Sequence, residues 1–167
     1  MIKEALQVIA DDIELIRQSL MKFSSYDFAE DIDSEMKALE LSQSTLAARA
    51  HVSHTMVGKW LKGGAKPHGK ERFKELGMAL GMGEARLNKF LEANSYPVLY
   101  AKNPLDVACR FVLSTSSGNE HIVQVYRDFI KLYKLDAYTL NKEPLDVATT
   151  VLSQEFDNEY TTLMQTY

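Results

Sequence analysis

The chain has 167 residues, 46% hydrophobic and 25% charged, enough for one full-sized domain or a small domain with a helical companion, and it holds no apolar run long enough to span a membrane. Its net charge of -4 at pH 7 argues against a nucleic-acid partner only until it is divided along the chain. Residues 1–34 carry three cations against eight anions, residues 35–90 ten against five, and residues 91–167 six against ten, so the positive charge is concentrated in one central module between acidic flanks.

The chain opens on an expected helix, Met1 to Phe23. Ile2, Leu6, Ile9, Ile13, Ile16, Leu20 and Phe23 step alternately by four and three residues, the a/d pattern of a heptad repeat. Glu4, Asp11, Asp12 and Glu14 interrupt the first twenty residues and exclude a secretory apolar region. A lone helix of this length is marginal in water. The stripe suits a dimerisation seam and equally a helix laid against the chain's own C-terminal helices. Ser24 to Asp27 reads as a break, with Asp27 able to cap the next helix, about Phe28 to Glu40, whose Phe28, Ile32, Met36 and Leu39 mark one face.

Leu41 to Gly63, LSQSTLAARAHVSHTMVGKWLKG, predicts two short helices joined by a tight turn. Ser42 can cap the first, Gln43 to about Arg49. Ala50-His51-Val52 is the turn. Ser53 can start the second, which runs to about Lys62, with Gly63 and Gly64 as its stop. Leu46, Ala47, Ala50, Val52, Val57, Trp60 and Leu61 supply the inward positions; Gln43, Ser44, His54, Thr55, Lys59 and Lys62 remain outside. This is a helix-turn-helix with a polar, cationic outer face. Gly58 is a poor helix former in mid-helix. The loop that follows, KGGAKPHGKERFK, carries Lys62, Lys66, Lys70, Arg72 and Lys74, cations well placed for phosphates. Two further helices, Lys70 to Leu80 and Glu84 to Ala93, complete the module.

The segments LSQSTLA, VSHTMVGKWLKG, AKP at Ala65 to Pro67 and LGMALGM at Leu76 to Met82 together resemble the Cro/lambda-repressor-like (XRE-type) helix-turn-helix of bacterial and phage regulators, over about residues 33–91. The resemblance implies a five-helix DNA-binding domain. It assigns base contacts in the major groove to His54, Thr55, Met56 and Lys59. Phosphate contacts go to Gln43, with Ser44 beside it, to Lys62 and Lys66, and, within the basic loop, to Lys70. Lysine can donate to guanine O6 and N7, and threonine offers a hydroxyl or a methyl to thymine.

Ser95 to Asn103 is a connector with two tyrosines and a candidate domain boundary. Beyond it Pro104-Leu-Asp-Val-Ala108 recurs as Pro144-Leu-Asp-Val-Ala148. Proline at the first helical position with an acid in the first turn marks a helix start, so helices are expected from Pro104 and Pro144, with another over Asn119 to Leu135. Residues 157–167 either continue the last helix or fray.

Enzyme chemistry finds no support. GGAKPHGK lacks the spacing of a phosphate-binding loop. The four histidines have no zinc-ligand spacing. Cys109, the single cysteine, excludes an internal disulfide, fits a reducing cytosol and sits on an apolar pattern as a small core residue. Asp106 and Asp146 are accounted for as first-turn acids. The expected fold is therefore all-α: an N-terminal heptad helix (1–26), a helix-turn-helix domain (27–94) and a C-terminal helical region (95–167) for dimerisation or sensing of an effector or protein partner. The expected function is a cytoplasmic, sequence-specific, DNA-binding transcriptional regulator without metal or cofactor. It would act as a homodimer on double-stranded DNA, with half-sites about 34 Å apart. The alternative is a protein-interaction adaptor that keeps the scaffold and does not bind DNA.

Overall fold

The computed structural model describes residues 1–24, 26–135 and 164–165. Among these the chain is all-α, with eight helices and no strand: α1 (Ile2–Ser24), α2 (Phe28–Ala38), α3 (Gln43–Ala50), α4 (His54–Leu61), α5 (Lys70–Ala79), α6 (Glu84–Ala93), α7 (Pro104–Ser116) and α8 (Ile122–Leu132). None of them is long and apolar enough to cross a membrane. The expected helix from Pro144 lies outside the described residues, as does the tail apart from residues 164–165.

Local side-chain chemistry starts four of these eight helices. The Asp27 carboxylate accepts the backbone N–H groups of Ala29 and Glu30. Ser42 accepts that of Thr45 and Ser53 that of Met56, both at 3.1 Å. Asn103 accepts those of Leu105 and Asp106 just ahead of Pro104, which needs no donor at the first helical position. Two helices are shorter than their apolar spacing predicts. α2 stops at Ala38 because Glu40 turns left-handed (φ 54°). α8 begins at Ile122 because the Asn119 side chain takes the His121 N–H at 2.8 Å in a local turn, and it ends at Leu132, two residues before left-handed Lys134 (φ 54°).

An aromatic cluster forms the centre of the fold. Phe28 of α2 lies edge-on to Trp60 of α4 and to Phe73 of α5. Phe73 in turn meets Phe90 of α6 and Tyr96, with centroids 5.6 and 5.1 Å apart. Rings at these separations add their quadrupole attraction to the area they bury. Outside this cluster, Arg86 of α6 reaches back to Asp31 and Glu35 of α2, both at 2.8 Å.

The core does not pause at residue 95. Leu105, Ala108, Cys109 and Val112 of α7 and Val123, Tyr126 and Phe129 of α8 are buried in one cluster with α2–α6. The connector is pinned at several points. The Gly69 N–H donates to the Tyr96 hydroxyl, the Leu99 N–H to the Asn88 side chain and the Tyr100 N–H to Asp106. Cys109 is fully buried, and burial pushes its thiol up to about 12, so it packs as an inert small residue.

Charge is buried along the same seam. Lys74 of α5 has no exposed surface; its ammonium donates to Glu71 and, at 3.0 Å, to Asp106 of α7. Asp106, 1% exposed, also accepts from Lys70 at 2.8 Å. The Tyr126 hydroxyl of α8 donates to Glu71 at 2.8 Å. Burial alone would raise the Asp106 carboxyl; Lys74, with the hydrogen bonds from Lys70 and the Tyr100 amide, outweighs it and holds the group below the usual carboxylate range. Burial alone would lower Lys74; Glu71 and, after it, Asp106 outweigh it and hold the ammonium above its usual value. Asp106 is therefore the hub of the network, a role its place in the first helical turn did not disclose.

α1 stands apart from this core. Ile2, Leu6, Ile9, Ile13, Ile16 and Leu20 are 53–78% exposed, so among the described residues the stripe is not laid against the chain's own helices. The side chain of Phe23 lies outside the described residues.

Asp106→Asn is expected to lower the unfolding free energy by about 3–5 kcal/mol, because it strips a buried ammonium of a partner; urea titration at pH 7 measures it. The depressed Asp106 carboxyl contributes stability that is present above about pH 4 and is lost as the pH falls through its folded value. The parent should therefore lose stability on acidification below pH 4 more steeply than the variant. Identical acid limbs would show that Asp106 carries no such coupling.

Candidate nucleic-acid interface

The helix-turn-helix is assembled from α3 and α4. Their packing rests on Leu46, Ala47 and Ala50 from α3 and Val57 and Trp60 from α4, all buried, with half-buried Val52 and Leu61 at the margin. His51 makes the turn in the left-handed conformation (φ 56°). The Val52 N–H bonds the Ala47 carbonyl at 3.0 Å, closing α3 and setting Ser53 to begin α4. Gly63 (φ 76°) ends the second helix, and the Gly64 N–H returns to the Lys59 carbonyl at 3.0 Å.

His54, Thr55, Lys59 and Lys62 are exposed. Thr55, Lys59 and Lys62 follow one another at intervals of four and three, so they line one face of α4. Ser44 is exposed and Gln43 half-buried. The Gln43 side-chain oxygen lies 3.7 Å from where a Cβ on Gly58 would stand, which puts the start of α3 against the middle of α4. Met56 is half-buried and packs on the core. It lines a cavity of about 330 Å³ shared with Ser53, Trp60, Lys66, His68 and Arg72, so it faces the loop after α4 and not the Thr55 row. His68 had no signal in the sequence beyond its place in a basic loop. His51, at the same cavity, is held below the ordinary imidazole value by burial and then by Arg127, and so adds no cation at pH 7.

Two loop cations are placed otherwise than the sequence suggests. Lys70, expected on phosphate, gives its ammonium to Asp106 and to the Val98 carbonyl at 3.1 Å. Lys74 is wholly buried. Both belong to the buried network around Asp106. Their i, i+4 spacing on α5 puts them on the one face that docks α7, a signal that could be read only after Asp106 was known to meet it.

The ten cations of residues 35–90 thus divide into two sets. Lys37, Lys70, Arg72, Lys74 and Arg86 are ion-paired within the chain. Arg49, Lys59, Lys62, Lys66 and Lys89 form no ion pair among the described residues. Three of these five fall within eight residues, on the second half of α4 and the loop that leaves it, and all three are exposed. The Lys66 ammonium itself lies over the Phe28 ring, 5.8 Å from its centroid, a cation–π contact that fixes where this charge stands. The backbone N–H groups at the start of α4 add partial positive charge at the other end of the helix, beside His54 and Thr55. Such a surface can hold phosphates and offer donors to an edge of a base.

Gly58→Ala is expected to raise stability by about 0.5–1 kcal/mol through helix propensity. Its backbone is right-handed, and the added methyl meets Gln43 at ordinary van der Waals distance. Thermal unfolding measures it, and a destabilised variant would mean that α3 and α4 need the glycine for close approach. No protein-family model, curated protein or solved structure matches the chain.

Proposed function

We propose that the chain is a sequence-specific DNA-binding regulator of the Cro/lambda-repressor-like kind, with α4 as the recognition helix in the major groove. The observation that carries the reading is the cluster of three exposed cations that form no ion pair among the described residues, Lys59, Lys62 and Lys66, next to exposed His54 and Thr55. In an acidic chain, cations left uncompensated on one helix and its exit loop are suited to an anionic polymer. The geometry of α3 and α4 supports the same reading: a capped, eight-residue helix crossing over a second short helix leaves its first turn open to base edges.

In this reading His54, Thr55 and Lys59 read bases, and Met56 borders the groove from the loop side. Gln43, Ser44, Lys62 and Lys66 contact phosphates. Lys70 drops out of that set because its ammonium is spent on Asp106. Regulators of this design meet two half-sites about one DNA turn apart, which requires at least two copies of the chain.

Fluorescence anisotropy with duplex fragments at moderate salt tests the reading. The double variant His54→Ala, Lys59→Ala should weaken the preferred duplex by about 1–3 kcal/mol and relax its sequence preference. Lys66→Ala should weaken all duplexes alike and reduce the salt slope by about 1. Lys70→Ala should leave that slope unchanged wherever the variant remains folded. Binding indifferent to the double variant would sink the groove assignment, and no binding to any duplex would sink the function.

A further inference from the structure

We infer that α1 is an assembly helix that joins four copies of this chain in a parallel, in-register coiled coil. This inference stands apart from the DNA reading and rests on α1 alone.

Six described seam residues, Ile2 to Leu20, are at least half exposed over five consecutive helical turns. An apolar stripe of that length is not tolerable as a free surface, and a helix of 23 residues with no partner is marginal in water. The partner is identified by the heptad itself. Stepping from Ile2 by four and three places Leu6, Ile13 and Leu20 at a positions and Ile2, Ile9 and Ile16 at d positions. Isoleucine at all three d positions, with leucine or isoleucine at a, disfavours the two-stranded coil and shifts preference towards higher order, because β-branched d residues fit the wider holes there.

The flanking positions agree. Val8 and Leu15 stand at c, beside the g edge of the seam, and are 59% and 65% exposed. A two-stranded coil would leave them in water, whereas a four-stranded coil covers a wider arc of each helix and takes them in. Ala5 at g and Ala10 at e are small enough for the closer approach of neighbouring helices.

The charges then fix the direction. Asp12 occupies a g position and Arg17 the e position five residues on. In a parallel coil, g of one helix faces the following e of its neighbour, so every Asp12 meets an Arg17 of the next copy. In an antiparallel coil g faces g and e faces e. Asp12 would then meet Ala5, Ser19 or another Asp12, and Arg17 would meet Lys3, Ala10 or another Arg17, with no attraction available in any register. Among the described residues Arg17 pairs with Glu14 of its own helix at 3.8 Å, both side chains well exposed, so a neighbouring helix can compete for it.

Sedimentation equilibrium of the full chain tests this. The expected mass is about 76 kDa, four times the 18.9 kDa of one chain; a mass of one, two or three chains overturns the four-stranded assembly. Ile13→Asp should reduce the mass fourfold. The near-ultraviolet circular dichroism of buried Trp60 should stay unchanged, because Ile13 lies outside the core. An undiminished mass with that variant removes α1 from the interface. Asp12→Arg should make the assembly dissociate at higher protein concentration, and the exchange Asp12→Arg with Arg17→Asp should restore it. If the exchange fails to restore it, the parallel register is wrong.

Discussion

A lysine ammonium with no exposed surface decides how this fold goes together. Lys74 can be buried only if its carboxylates are buried with it, since an uncompensated charge in the interior costs several kcal/mol. Glu71 comes from its own helix, but Asp106 comes from α7, and Tyr126 of α8 closes the far side of Glu71. The helices beyond the connector are therefore part of the condition under which α5 can form its buried face. α5 in turn carries Phe73 into the aromatic cluster that holds α2, α4 and α6, so the attitude of the helix-turn-helix traces back to the same ion network.

This constraint also sorts the charges. A basic segment in sequence becomes two populations in space: cations consumed by the fold and cations left over. Lys70 and Lys74 are consumed at the seam, and Arg72 and Arg127 share Glu75 near it. Those left over on α4 and its exit loop, Lys59, Lys62 and Lys66, are fewer than the sequence count suggests but more concentrated. The proposed DNA contacts rest on that residue, and the electrostatic reach of the surface depends on the buried network keeping its acids turned inward.

Much of the fold was legible in the sequence because its signals are local. Ser42, Ser53, Asp27 and Pro104 announce helix starts within one turn, and the spacing of Leu46, Val57 and Trp60 gives the inward face without knowledge of any partner. Ends set by backbone turns were less legible: the left-handed residues Glu40 and Lys134 carry no glycine to mark them. Least legible was the direction of the lysines. Whether Lys70 points to solvent or to Asp106 depends on a contact across 36 residues of chain, which no periodicity encodes. His54, Thr55 and Lys59 stand exposed on α4 as their spacing predicts, because an exposed helix face is a local property. The phosphate set lost Lys70 because pairing is not. For α1 the heptad was plain in sequence, and its exposure in the fold is what separates a seam between copies from a helix packed on its own chain.

Four parallel α1 helices would carry their helix-turn-helix modules from one end of a common stalk, enough for two pairs of half-sites. The claim at the centre remains the surface of α4. Hydrogen–deuterium exchange of the full chain, with and without a saturating preferred duplex, reports on it residue by residue and regardless of assembly size. Slowed exchange should be confined to Ser53–Lys66 and the first turn of α3 at Gln43 and Ser44, with α6, α7 and α8 unaltered. Protection absent from that stretch, or appearing on α8 or α6 instead, would contradict the assignment of α4 as the helix that meets DNA.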